Sequence, residues 1–173
     1  ECDEVLIQRP VYYPFADSIQ QQKRVVVNSP LQLRDGRYEI DFADFERKAA
    51  SPRCRAFILS NPHNPVGRVY TEEELRRVGE ICRRHHVFVI ADEIHSDLIF
   101  PGHQHIVFAS LGQDYAENCA VCHAPSKTFN LAGLSFSCIM IPNEERRKRF
   151  DQMFARYCRA HPNFFAPVAA KAA

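Results

Sequence analysis

The stretch Val87-Phe88-Val89-Ile90-Ala91-Asp92-Glu93-Ile94-His95-Ser96-Asp97 decides the fold. Its first five residues are apolar without alternation, as expected of a strand covered on both faces, the usual situation in a parallel sheet. Two carboxylates then end the run. Immediately upstream lies a helix. Thr71-Glu72-Glu73-Glu74 reads as a capping box, in which the Thr hydroxyl and the Glu74 carboxylate each satisfy an orphan backbone N–H. Leu75, Val78 and Cys82 recur at helical spacing. Arg83, Arg84 and His85 occupy the last turn, where the helix dipole favours positive charge. A capped helix running straight into a buried strand is one unit of an alternating α/β chain.

The alternation extends both ways. Upstream, Val5-Leu6-Ile7, Val25-Val26-Val27 and Ala56-Phe57-Ile58-Leu59 read as strands, the last stopping at Asn61-Pro62. Pro14 to Gln22 and Asp41 to Ala50 read as helices, and Asp35-Gly36 as a turn. Downstream, Val121 and Ile139-Met140-Ile141 belong to two later strands. A final helix begins near Asn143, with Phe150, Met153, Phe154 and Tyr157 on one stripe. Phe15 and Phe45 are expected in the core, and Phe164-Phe165 in the core or at a domain interface. Arg146-Arg147-Lys148-Arg149 reads as a solvated helix face. The expected fold class is α/β with a largely parallel sheet. Ligands of such sheets bind beyond the carboxyl ends of the strands.

A chain of 173 residues can bury a core of its own. Hydrophobic residues at 46% and charged residues at 25% place it with soluble globular proteins. Lys plus Arg number 22 against 21 Asp plus Glu, so neither a nucleic acid nor an anionic membrane is an expected partner. No apolar run approaches the ~20 residues that span a bilayer. Seven scattered cysteines, mostly in apolar stretches, suit buried free thiols in a reducing compartment, and so the cytoplasm. The start at Glu1-Cys2-Asp3, without an initiator Met, and the Ala-rich end suggest cuts through a longer protein.

Cys119-Ala120-Val121-Cys122-His123 matches the haem-attachment pattern, but on a strand the two thiols would face opposite sides. A zinc site would need a second ligand pair. His103 and His105 read as exposed loop histidines rather than as that pair. No metal is expected.

Three polar clusters stand at strand ends. In Asn61-Pro62-His63-Asn64-Pro65-Val66-Gly67 the prolines fix φ and exclude helix, so the loop can hold an Asn amide towards a ligand oxygen. A plain turn suits the same residues. In Asp92-Glu93-Ile94-His95-Ser96-Asp97 a carboxylate at the tip of a buried strand calls for a cationic partner. A helix N-cap or a structural ion pair would also account for it. In Ala124-Pro125-Ser126-Lys127-Thr128-Phe129-Asn130-Leu131-Ala132-Gly133 the setting allows partial desolvation of the lysine, which would make its amine a better nucleophile. A solvated surface lysine is the bland alternative.

In this order and at these intervals, the three clusters resemble fold-type I, pyridoxal-5′-phosphate (PLP)-dependent enzymes of the class I/II aminotransferase superfamily. Their wording is similar to the carbon–sulfur lyase branch, the MalY/PatB-type cystathionine β-lyases. The likeness runs from Asp3 to about Ala170. It implies a three-layer α/β/α large domain with a mostly parallel mixed sheet, incomplete here. Residues 1–142 would be the central part of that domain, and residues 143–173 a helix and connection towards a C-terminal small domain. It also implies roles. Lys127 would carry the cofactor covalently and act as the catalytic base. Asp92 would bind the pyridine nitrogen, and Asn64 the 3′-oxygen. His95 stands where many relatives have a Tyr. Tyr12 would stack on the ring, with Tyr13 a weaker choice. Ser126 would contact the phosphate. Many aminotransferases have an Arg eight residues after the lysine; here it is Ser135, as is common in the lyase branch. The phosphate-binding glycine loop and the carboxylate-binding Arg would lie outside this sequence. The implied reaction is β-elimination from cystathionine or another cysteine conjugate, in a homodimer. The alternatives are an aminotransferase and a non-catalytic regulatory homologue.

Overall fold

The computed structural model describes residues 2–157 and 163–173. The elements run β1 (Glu4–Ile7), α1 (Pro14–Gln21), β2 (Val25–Asn28), β3 (Gln32–Arg34), β4 (Arg37–Glu39), α2 (Phe42–Ala49), β5 (Cys54–Ser60), α3 (Glu72–Arg84), β6 (Phe88–Asp92), α4 (Gln113–Ala116), β7 (Cys119–His123), β8 (Cys138–Met140), α5 (Glu144–Tyr157) and α6 (Ala166–Ala172). Six strands form one sheet in the order β2-β1-β5-β6-β7-β8. The pairs from β2 to β7 are parallel, and β8 joins β7 antiparallel. The sheet is therefore mixed and mostly parallel, as expected.

One face of the sheet carries the main core. Leu6, Phe57, Leu59, Val89, Ala91 and Val121 alternate inward and meet Phe45 and Ala49 of α2 and Leu75, Val78 and Cys82 of α3. Phe45 and Phe57 stack edge to face at 4.9 Å. Full burial of such a ring is worth about 1.5–3 kcal/mol. On the other face, Ile7 meets Ala16 and Ile19 of α1, with Phe15 half-buried beside them. Helix α3 starts with the capping box read from its sequence: Glu74 N–H donates to Thr71 Oγ1, and Thr71 N–H donates to Glu74 Oε2.

The central strand is buried unevenly. Val87, Val89 and Ala91 are fully enclosed, whereas Phe88 and Ile90 are half-buried. Those two line an apolar groove of about 380 Å³ that α5 covers in part. Arg146 lies over the Phe88 ring at 4.9 Å, and Arg147 donates to the Ile141 carbonyl. The basic run is thus exposed but not idle. The expected apolar stripe of α5 is mostly not core: Met153, Phe154 and Tyr157 are exposed. Phe164 and Phe165 are also exposed, which excludes them from the core of this chain.

Asp35-Gly36 is the whole loop of a β3–β4 hairpin. Both residues have positive φ, 47° and 75°. That is the requirement of a type I′ turn and the reason Asp-Gly suits it. Cys54, Cys82 and Cys119 are buried free thiols, while Cys2 and Cys138 are exposed; Cys158 lies outside the described residues. Burial pushes the Cys54 thiol up to about 11 and that of Cys119 to about 12. Cys122 is half-buried on the face opposite Cys119, against the groove. Among the described residues no helix is long and apolar enough to cross a membrane.

Candidate active site

Parallel register brings the three clusters to one edge. Ser60 pairs with Asp92, and Asp92 with Cys122. The ladder runs on past the strands, with Asn61 N–H donating to Asp92 O at 3.0 Å and Glu93 N–H to Cys122 O at 2.9 Å. The carboxyl ends of β5, β6 and β7 therefore stand side by side. The end of β1, next in the sheet, leads to Tyr12.

The loop after β5 is built on buried polar groups. Asn61 is fully buried, and its Oδ1 accepts from Tyr70 N–H. His63 is buried between two partners at 2.9 Å, with Nε2 on the Pro10 carbonyl and Nδ1 on the Tyr70 hydroxyl. A carbonyl can only accept, so Nε2 carries the hydrogen and Nδ1 accepts from Tyr70. Burial lowers the His63 pKa, in keeping with a neutral ring. Arg68 grips both Glu74 oxygens, at 2.8 and 2.7 Å, and donates to Tyr38 O. One carboxylate thus caps α3, fixes Arg68 and ties the hairpin to the loop. Asn64 stands on this frame. Its backbone N–H reaches Ser60 Oγ, and its side-chain amide has no hydrogen-bond partner among the described residues. It lines a cleft of about 650 Å³ together with His95 and Arg37.

Asp92 ends β6, half-buried, and its Oδ1 accepts from Ile94 N–H at 3.2 Å. Desolvation by burial raises its pKa; the Ile94 hydrogen bond and nearby His95 pull the other way without cancelling it. No cation pairs with Asp92 among the described residues. A buried carboxyl that lacks a cation suits a ligand bringing a protonated ring nitrogen.

Lys127 lies on the turn after β7 and is exposed. Of the two readings of this lysine, the solvated one holds in this chain. The turn itself is fixed. Phe129 N–H donates to Pro125 O, Leu131 N–H to Ser126 O, and Thr128 Oγ1 to Asp97 at 2.7 Å. That last bond ties the lysine turn to the segment carrying Asp92 and His95. Ser126 is half-buried. Tyr12 is exposed, with its ring 5.7 Å from those of Tyr13 and Phe15. No hydrogen bond joins Tyr12, Asn64, Asp92 and Lys127 to one another among the described residues. They share the sheet edge, and neither Asp92 nor Lys127 lines the cleft.

One sequence expectation is overturned here. His105 is not an exposed loop histidine. Its side chain is 8% exposed and its Nε2 lies 2.9 Å from Oε2 of the buried Glu93. His103 is exposed, as expected. Sequence reasoning also gave no part to His63, Glu93 or Asp97, whose partners lie far away in the sequence and follow no period.

The profile of the aminotransferase class I and II family matches residues 1–173. The chain belongs to this family. It is 46% identical over 171 residues to cystathionine beta-lyase PatB of Bacillus subtilis, covering 99% of this chain and 44% of that protein. It is 31% identical over 146 residues to protein MalY of Escherichia coli, covering 84% of this chain and 37% of that protein. Among solved structures, cystalysin from Treponema denticola, which contains a pyridoxal 5′-phosphate cofactor, superposes with a TM-score of 0.95 at 37% identity. That match covers 98% of this chain and 43% of cystalysin. A PLP-bound putative aminotransferase from Clostridium difficile gives 0.94 at 43% identity, covering 99% and 44%. The chain thus spans less than half the length of these relatives, and shares the fold of the part that it matches.

Proposed function

We propose that this chain is the central part of a PLP-dependent carbon–sulfur β-lyase, which releases a thiol, pyruvate and ammonia from an S-substituted cysteine such as cystathionine. One observation carries the reading. A half-buried carboxyl without a cation among the described residues, Asp92, stands at the sheet edge between the Asn64 loop and the Lys127 turn, in a chain 46% identical to a cystathionine β-lyase.

When bound, PLP supplies an electron sink that acidifies the substrate Cα–H and lets a Cβ thiolate depart. The residues of this chain hold and orient it. Lys127 would hold it covalently, and its amine would serve as the general base for the substrate Cα proton. Asp92 would bind the ring nitrogen and favour its charged form. Asn64 would bind the 3′-oxygen, with His95 on the same side of the site. Tyr12 would stack on the ring, and Ser126 would bind the phosphate. Residues 1–142 belong to the large domain, and residues 143–173 lead towards the small one. The working enzyme is a cytoplasmic homodimer, a reading supported by the free buried thiols and by resemblance.

An aminotransferase is the second reading, favoured by the 43% identity to the C. difficile protein. The two part on the acceptor. Full-length protein given cystathionine without any keto acid is expected to release pyruvate. Amino transfer that depends on a keto acid, with no pyruvate in its absence, would overturn the lyase reading.

A further inference from the structure

Residues 94–106 leave the end of β6, carry His95 and Asp97, and return to the body of the protein before α4. Much of this segment is exposed, Leu98 at 56% and Phe100 at 83%. Its packing therefore holds it weakly. A buried carboxylate anchors it where it returns. Glu93 is 2% exposed. Its Oε1 accepts the Phe108 N–H at 2.8 Å and its Oε2 bonds His105 Nε2 at 2.9 Å. Glu93 thus stands where the segment departs and grips it where it returns. Among the described residues His105 Nδ1 is buried without a partner, so the Nε2–H tautomer facing the carboxylate is the favoured one.

The same residue fixes its neighbour. Glu93 N–H extends the β6–β7 ladder to Cys122 O. Strand alternation then sends Glu93 to the face of Ala91 and Phe108, and Asp92 to the opposite face. Rotation of the strand end would withdraw Asp92 and pull Glu93 out of its two bonds together. Three further contacts reach the lysine side. The Glu93 carbonyl and Ser96 Oγ both approach His123 Nδ1 at 3.3 Å, and Asp97 holds Thr128, next to Lys127.

We infer that Glu93, clamped by His105 and Phe108 N–H, is a positioning residue that sets the direction of Asp92 and the seat of residues 94–106. Glu93 is enclosed and acts through Asp92. The assignment rests on the PLP reading for its consequence, and on this chain alone for its geometry.

The test uses full-length protein with two readouts, amide hydrogen exchange and PLP affinity by fluorescence titration. Glu93→Ala leaves the Phe108 N–H and His105 without their acceptor. It is expected to raise exchange across residues 94–106 by about tenfold while α3 is unchanged, and to weaken PLP binding by about tenfold. Glu93→Gln keeps an oxygen for Phe108 N–H and is expected to lie closer to wild type on both readouts. If Glu93→Ala does not fold, His105→Phe decides, since it keeps the ring and removes one arm of the clamp; raised exchange confined to 94–106 with weaker PLP binding supports the assignment. Unchanged exchange in the variant that folds overturns it. Raised exchange with wild-type PLP affinity also overturns it, reducing Glu93 to a purely structural part. Wild-type protein that takes up no PLP would refute the cofactor reading, while the exchange measurement would still judge the clamp.

Discussion

Two adjacent carboxylates, Asp92 and Glu93, have opposite fates. Glu93 is enclosed with two hydrogen-bond partners, whereas Asp92 is half-buried with, among the described residues, one backbone donor and no cation. The difference has a measurable consequence in cofactor-free protein. Burial holds the folded Asp92 pKa above its unfolded value of about 3.9. The folded state then binds more protons than the unfolded state between the two values, so stability is highest below the unfolded pKa and falls as pH rises through the folded one. Asp92→Asn removes that loss. In urea titrations the variant is expected to match wild type near pH 4 and to exceed it at pH 7. Equal stability at both would mean that Asp92 carries no such penalty. With PLP present the sign reverses, because Asn offers the ring nitrogen no negative charge; binding should weaken by about tenfold or more. The three polar clusters were visible in the sequence as stretches that follow apolar runs, while the roles proposed for their residues come from resemblance. The Glu93–His105 pair was not, since nothing periodic links residues so placed. Nor was the exposure of Lys127, which depends on what covers its turn.

Elements were legible where one local rule governs them. The Thr71 capping box, the unbroken β6 run and the Asp35-Gly36 turn all appear where the sequence puts them. The strands flanking that turn were not read, being only three residues each, with no buried residue to mark a pattern. Helix α4, only four residues long, was also not read. It matters to α3 nonetheless. A Cβ on Gly79 would lie 2.5 Å from two ring carbons of Tyr115, just C-terminal to the middle of α4's first turn, and 3.1 Å from Phe108. That Tyr115 ring is held between Phe108, edge-on at 6.0 Å, and Arg76 at 5.7 Å. Gly79→Ala should therefore destabilise by about 1–3 kcal/mol through overpacking, outweighing the up to ~1 kcal/mol that Ala gains over Gly inside a helix. Chemical denaturation checks this, and a stabilised variant would show that Tyr115 swings away freely.

At the scale of the molecule, a six-stranded sheet sets three loop clusters along one edge, and the helix-covered face holds them in register. The sequence pattern predicted that sheet and its sense because parallel strands need long crossovers, and the crossovers are visible as helices. It also predicted full cover for β6, yet Phe88 and Ile90 remain half-buried beside an open groove, in a chain that spans about 44% of the PatB relative's length. Cover is a property of whole assemblies, not of a local pattern. The central claim is that this edge holds PLP on Lys127. Full-length protein loaded with PLP, reduced with borohydride and digested, is expected to carry the pyridoxyl group on the peptide containing Lys127, and Lys127→Ala to carry none there. A pyridoxyl group on another lysine, or on no residue at all, would contradict the account.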